Sequence, residues 1–298
     1  GNFDDAQSGI KKLFIDEEFK KELLTKNIKL SSANSINIGR LIPQVVYYVV
    51  SYLELVTTDK IKLGDKVNFV VPTGNFGNIL AGYYAEQIGL PVNKLICASN
   101  NNNVLYDFLK TGVYDKNRDF LKTVSPSMDI LISSNLERLL YYVSGCDNAY
   151  VASLMKDLKE TGRFEVTKEI LNRIQEKFQT GFADDLDTKQ TIKKIYEKDS
   201  YLLDTHTAVA YKVLLDNLDE EHVNVVLSTA SPYKFTESVY TSLNEATNED
   251  EFTLMNKLHE QTKVAIPENL KDLDKKEIRH KDVINKNEMK KYILDTFQ

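Results

Sequence analysis

Three times along this chain an apolar run of strand length leads into a loop of small or polar residues and then into a helical pattern. That recurrence constrains the fold more than any other feature. In the first unit a strand over residues 67–71 meets the loop 73–78 and a helix over 79–88, stopped by Gly89 and Pro91. In the second, a strand over 94–98 meets four asparagines and a helix over 104–110, ended by Gly112. The third pairs a strand over 223–227 with the loop Ser228-Thr229-Ala230-Ser231-Pro232 and a helix over 233–243. Apolar strands separated by helices predict an α/β fold: a three-layer parallel sheet with helices on both faces.

The remaining segments read as helical. Residues 5–24 carry Ile10, Leu13, Phe14 and Leu24 on roughly one face of a predicted helix. The nearly all-apolar stretch IGRLIPQVVYYVVSYLEL predicts a long core helix. From about 136 to 217 the chain is helical and charged, with Leu171, Ile174 and Phe178 at helical spacing. The tail beyond 248 is rich in Lys, Glu, Asp and Asn, with helical patterns at 251–258 and 286–297, and reads as a C-terminal cap.

Composition removes several function classes. At 42% hydrophobic and 28% charged, 298 residues can bury a core without metal or disulfide staples. A formal charge of −6 argues against a broad nucleic-acid surface. Cys97 and Cys146 form no CxxC pattern and read as reduced buried thiols, and the four histidines have no zinc-ligand spacing. The longest apolar run, 41–53, has 13 residues and contains Gln44, against about 20 for a bilayer span. No signal peptide opens the chain, so a cytoplasmic location is the expectation. The chain opens on Gly1 rather than Met, as a processed protein or a piece of a longer one would.

In an open parallel sheet, ligands bind beyond the carboxyl ends of the strands. Three loops here fall at that place. In Pro72-Thr73-Gly74-Asn75-Phe76-Gly77-Asn78, the two glycines permit positive φ and close backbone approach, so successive N–H groups can converge on an anion at a helix start. The loop is neither a Walker A nor a GxGxxG motif, which favours a phosphate smaller than a nucleotide triphosphate. A tight turn with an Asn cap fits its spacing equally well. The asparagines 100–103 could orient a polar ligand or simply cap a helix. The hydroxyls of Ser228 and Thr229 could meet a ring nitrogen or a phosphate, or serve a Ser cap with Pro at N1. Upstream, Ser31–Asn37 and Arg40 offer a phosphate or carboxylate pocket, or a surface arginine beside an ordinary cap. His206 could shuttle a proton, bind an anion or be structural.

Taken in order, SANSINIGRL, VPTGNFGNILAGYYA, ASNNNNVLYDFLKTGVY, SPSMDILISSNLERLLYY, DTHTAVAYK and STASPYKF resemble the threonine synthases of the longer bacterial and fungal branch. The resemblance runs from residue 1 to about 245. It implies a tryptophan-synthase-β-like fold, pyridoxal 5'-phosphate as cofactor, and conversion of O-phospho-L-homoserine and water to L-threonine and phosphate. It further implies that Gly74, Asn75, Phe76, Gly77 and Asn78 cradle the cofactor phosphate, and that Thr229 or Ser228 meets the pyridine nitrogen. Ser35, Asn37, Arg40 and His206 become the candidates for substrate binding. Residues 1–30 would be the remnant of an upstream small domain, 31–248 the large cofactor-binding domain and 249–298 the helical cap.

One departure stands out. The family's Schiff-base lysine lies in a motif like Asp-Gly-Pro-Thr-x-x-Phe-Lys-Asp, and no such motif occurs in these residues. Lys212 and Lys234 sit in other contexts. The expectation is therefore the C-terminal portion of a threonine synthase, inactive alone. The alternatives are a related pyridoxal-phosphate phospho-lyase and a non-catalytic phosphate-ligand module.

Overall fold

The computed structural model describes residues 3–32 and 37–297. They divide into two compact units: Gly1–Asn37 with Asp272–Gln298, and Ile38–Lys271. The expected boundaries at 30/31 and 248/249 do not coincide with these units.

The larger unit is built on a parallel sheet of four strands in the order β5 (Phe178–Phe182), β2 (Val92–Ser99), β1 (Val67–Pro72), β6 (Val223–Val226). Side chains alternate along β1. Phe69 and Val71 join Ile79, Leu80, Leu95, Phe108 and Tyr48 in a core on one face, whereas Val70 joins Ile96, Val209, Ala210 and Val213 on the other. The helix Gly77–Gln87 covers the first face and Thr205–Asp216 the second, as the three-layer expectation requires. Close packing sets one residue choice here. A Cβ on Gly82 would lie 2.8 Å from both Leu95 and the Tyr48 ring.

The charged middle segment is helical at Leu136–Val143, Asn148–Thr161, Lys168–Lys177 and Asp185–Asp199. It also holds β5 and β4 (Arg163–Glu165), which pairs antiparallel with β3 (Val113–Asp115) upstream of the segment, where helices alone were expected. Phe178 does not continue the stripe of Leu171 and Ile174. It caps the helix in an extended conformation and opens β5. The helices Asp185–Asp199, Thr236–Leu243 and Glu251–Thr262 share a further core around Ile192, Tyr233, Val239, Met255 and Leu258. Residues 251–262 thus pack within the larger unit.

Two helix expectations change. Pro43 breaks the predicted long helix into Ile38–Leu41, a 3-10 turn at Ile42–Gln44 and Val45–Thr57. Only Leu41, Tyr48 and Tyr52 of this stretch are buried, so it is not a core helix here. In the smaller unit the predicted helix over 5–24 splits at Asp16, whose carboxylate accepts the Phe19 N–H at 2.9 Å and caps Glu17–Thr25. Leu13, Phe19 and Leu23 form that unit's core with Met289 and Ile293, whereas Ile10 and Leu24 are exposed. Cys97 is buried, which pushes its thiol up to about 12, but Cys146 is exposed, contrary to the reading of both as buried. No helix among the described residues is long and apolar enough to cross a membrane.

Candidate functional site

The strand order places a topological switch point between β1 and β6. The chain leaves β1 toward β2 on one side, and β6 is added on the other. The loops after β2, β1 and β6 therefore emerge side by side at the carboxyl end, where a crevice is expected. Backbone bonds from Thr73 N to Ala98 O, 2.9 Å, and from Leu227 N to Val70 O, 3.0 Å, fix the strand ends from which these loops start.

The loop 73–78 is held from behind. The Ser133 hydroxyl donates to the Gly74 carbonyl at 3.0 Å. Asn135 donates twice to the Asn75 carbonyl, from its backbone N at 3.1 Å and from Nδ2 at 2.9 Å. In a planar trans peptide the N–H points opposite to the C=O. The N–H groups of Asn75 and Phe76 are thereby turned away from the 133–135 segment. Among the described residues, no protein acceptor takes the N–H groups of Gly74, Asn75, Phe76, Gly77 or Asn78. Those of Gly77 and Asn78 open the helix Gly77–Gln87 and add its positive dipole end. The outcome is a row of oriented donors, which is what an anion needs. Asn78 closes the loop by donating Nδ2 to the Pro72 carbonyl at 2.8 Å, and the Tyr48 hydroxyl donates to the Asn78 carbonyl at 2.7 Å.

The glycines work differently from the expectation. The positive φ falls on Phe76, at 63°, and on neither Gly74 nor Gly77. That conformation costs an L-residue ~1–2 kcal/mol. Burial of the Phe76 ring beside Phe178, at 5.7 Å between centroids, offsets it. Gly74 serves close approach instead. A Cβ there would lie 2.8 Å from the Ser127 carbonyl oxygen and 3.3 Å from the Met128 Cα, both backbone atoms.

The asparagine loop and residues 123–129 form one buried network. Asp129 accepts from Asn100 Nδ2 at 2.8 Å, Asn102 Nδ2 at 2.9 Å, the Thr123 hydroxyl at 2.7 Å and the Thr123 N–H at 3.0 Å. Four donors satisfy this carboxylate without a cation, so the asparagines position the 123–129 segment against Gly74. Ser99 Oγ, at the end of β2, is buried with no partner among the described residues.

His206 is 3% exposed, beneath the same segment. Its Nε2 lies 3.1 Å from the Ser127 backbone N–H and accepts from it. This makes Nδ1 the protonated nitrogen, facing Asp204 Oδ1 at 3.4 Å and the Thr205 hydroxyl at 3.3 Å. Asp204 caps the helix Thr205–Asp216 through the His206 and Thr207 N–H groups and also accepts from the Thr207 hydroxyl. Burial raises its carboxyl, but the bonds from His206 and Thr207 outweigh that and hold it below the ordinary value of 3.8. Ser228 and Thr229 are exposed, and the Thr229 N–H reaches the Thr207 hydroxyl at 3.4 Å.

Of the upstream candidates, Ser35 lies outside the described residues. Asn37 Nδ2 donates to the Ser32 carbonyl at 2.9 Å. Arg40 is exposed on the four-residue helix Ile38–Leu41. The sequence reading missed Ser133 and Asn135 as the clamp of the glycine loop. Both lie in SPSMDILISSNLERLLYY, but their offset from residue 74 carries no local signal. Among the described residues no group of three or more His, Cys, Asp or Glu could hold a metal.

Residues 207–293 match a family described as "Threonine synthase, C-terminal". The chain is 42% identical over 245 residues to the human "Threonine synthase-like 1", covering 81% of this chain and 33% of that protein. It is 38% identical over 265 residues to the threonine synthase of Saccharomyces cerevisiae, covering 83% of this chain and 50% of the relative. The crystal structure of threonine synthase from yeast superposes with a TM-score of 0.80 at 36% identity, over 100% of this chain and 58% of that one. A PLP-bound threonine synthase from Brucella melitensis gives 0.74 at 41% identity, over 86% and 53%. The chain thus spans between a third and about three fifths of the length of these relatives.

Proposed function

The chain belongs to the threonine synthase family, and on that premise we propose that it supplies the cofactor-phosphate cradle and part of the pocket of a pyridoxal-phosphate lyase that makes L-threonine and phosphate from O-phospho-L-homoserine and water. One observation carries this reading: the row of N–H groups at residues 74–78, clamped from behind by Ser133 and Asn135. It fits a phosphate group because it presents several donors, no carboxylate and a helix start.

Bound there, pyridoxal phosphate supplies an electron sink for carbanions next to its ring. The chain's own residues do the holding. Gly74–Asn78 bind the phosphate, and the Thr229 hydroxyl, or that of Ser228, offers the ring nitrogen a neutral hydrogen-bond partner. His206 enters through the 125–128 segment it fixes, and the buried Asp129 network gives that segment its shape. The roles of Ser35, Asn37 and Arg40 toward the substrate phosphate rest on the sequence resemblance alone. No residue in these 298 occupies the lysine motif, so we propose that this chain alone forms no threonine.

The test is threonine production from O-phospho-L-homoserine with pyridoxal phosphate. It should be absent with this chain alone and present when the family's lysine region is supplied. Turnover by the purified chain alone overturns the division of roles. A second reading, a related phospho-lyase, draws on the relatives called "Threonine synthase-like 1", matched at 41–42%. Its product would be a 2-oxo acid with ammonia instead of threonine.

A further inference from the structure

The glycine loop and His206 meet through one residue. The Ser127 carbonyl packs against Gly74, where a Cβ would come within 2.8 Å of it, and the Ser127 N–H donates to His206 Nε2 at 3.1 Å. The segment around Ser127 is held at both ends by other groups. Asp129 is filled by its four donors, and the Val124 N–H donates to Asp185 Oδ1 at 3.2 Å. Between those ends, the His206 ring is the side-chain acceptor for the Ser127 peptide. The half-buried Phe235 ring lies against it, 4.5 Å between centroids. An imidazole that accepts at Nε2 is neutral. A proton added there sets two N–H groups head to head across 3.1 Å, and because both nitrogens of a charged ring are donors, no ring flip restores the bond. Of the charged groups on the elements around the ring, Asp204 lies on its own helix and faces Nδ1 at 3.4 Å. Asp129 and Asp185 serve the 123–129 segment, and Lys234 Nζ stands 5.4 Å from the Phe235 centroid. Asp184, Asp187 and Asp216 act on Lys212, further along Thr205–Asp216.

We propose that His206 is a positioning residue for the phosphate cradle, and that the wall against Gly74 closes only on its neutral ring. Asp204 has two tasks in this scheme. It caps the helix, and it keeps the proton on Nδ1, so that Nε2 is left as the acceptor. With the ring neutral, the Ser127 N–H is held and its carbonyl is pressed against Gly74. When a proton binds Nε2, the hydrogen bond gives way to repulsion between two donors. The charged ring keeps Asp204 and loses Ser127, and the 125–128 segment withdraws from the cradle. Proton and anion therefore compete, one favouring the withdrawn segment and the other the closed one. With one proton per opening, anion affinity falls about tenfold for each pH unit below the ring's titration. By reciprocity, a bound anion moves that titration to lower pH. The affinity part of this proposal rests on the phosphate reading of residues 74–78; the bond between His206 and Ser127 does not.

The test uses the whole chain, with sulfate as the probe because its charge, unlike that of phosphate, stays constant where histidine titrates. NMR follows the His206 ring nitrogens and the amides of Ser127 and Gly74 from about pH 8 to about pH 5, and calorimetry gives the sulfate affinity along the same range. The expected result is one shared midpoint for the ring and both amides. Through it, Ser127 loses at least tenfold of its protection from hydrogen exchange and sulfate binds at least tenfold more weakly. Saturating sulfate should move the midpoint down. His206→Gln keeps an acceptor at the reach of Nε2 and carries no titrating proton. It should keep Ser127 protected and bind sulfate with an affinity that no longer varies with pH. His206→Leu, with no acceptor, should lose the protection at every pH. The proposal is overturned by a Ser127 amide that stays protected when the ring is charged, or by a ring that stays neutral until the chain unfolds. A Gln variant no better than the Leu variant overturns it as well. If sulfate binds at no pH, the phosphate reading of the cradle fails, and the shared midpoint of ring and amides still decides the role of His206.

Discussion

Strands β1 and β6 begin with almost the same residues, Val67-Asn68-Phe69-Val70 and Val223-Asn224-Val225-Val226, and pair in parallel residue for residue. Every residue of β1 is buried, and every residue of β6 is half-exposed. The loops that follow differ in the same direction. The loop after β1 is clamped at two carbonyls and tied by Asn78, whereas that after β6 is anchored to the second-face helix by one 3.4 Å bond from Thr229. Nearly identical local sequence thus yields one finished half of a crevice and one half that is only sketched. What separates them is the number of neighbours on the sheet.

The comparison can be broken most severely at Phe76. Alanine keeps the left-handed backbone cost but loses a fully buried ring, so Phe76→Ala should lower unfolding stability by about 3–5 kcal/mol in urea titrations. A loss under about 1 kcal/mol would mean that the ring does not anchor the loop. Next comes a matched pair in register. Val70→Ala should cost ~2 kcal/mol, because two methyl groups leave a packed core. Val226→Ala, half-exposed, should cost less than about 1 kcal/mol. Equal losses would show that β6 is as well covered as β1. Gly74→Ala forces the backbone of 127–128 to move and should cost about 1–3 kcal/mol. It should also weaken phosphate binding, measured by calorimetry, more than tenfold.

The smallest effect concerns the β6 side. Asp204 holds Thr207, whose hydroxyl takes the Thr229 N–H. Because its carboxyl sits below 3.8 in the folded state, its contribution is complete above about pH 4 and is lost as pH falls through the lowered value. Asp204→Ala should remove ~1 kcal/mol of helix capping at neutral pH. It should also flatten the stability curve below about pH 4 relative to the parent chain. An unchanged acid limb would show that Asp204 is not the group responsible.

The strands and their loops were legible because each is a short apolar run closed by Gly, Asn or Ser, and the local pattern coincides with the tertiary role. The cradle was legible as a loop but not in its mechanics. Glycines at 74 and 77 invite a left-handed turn, yet core packing assigns that conformation to Phe76. Strand β5 was missed because FQTGF follows directly on a charged helix, and its pairing with β2 is visible only in three dimensions. The apolar stretch 38–55 looked like a core helix because its composition suits one. The structure gives it one covered side, around Leu41, Tyr48 and Tyr52. His206 was read as a substrate-binding candidate, and Asp129 lies within one of the motifs that carry the resemblance. Their hydrogen bonds, invisible in sequence, direct both of them to the 123–129 segment.

The central claim is that the backbone N–H groups of residues 74–78 bind a phosphate. It is tested most directly by amide proton–nitrogen NMR of this chain during titration with inorganic phosphate and, separately, with pyridoxal phosphate. The account predicts that the amides of Asn75, Phe76, Gly77 and Asn78 shift together, saturably, with both ligands, and that Gly74→Ala abolishes the response. Saturable shifts confined to other amides, with these four unmoved, would contradict it.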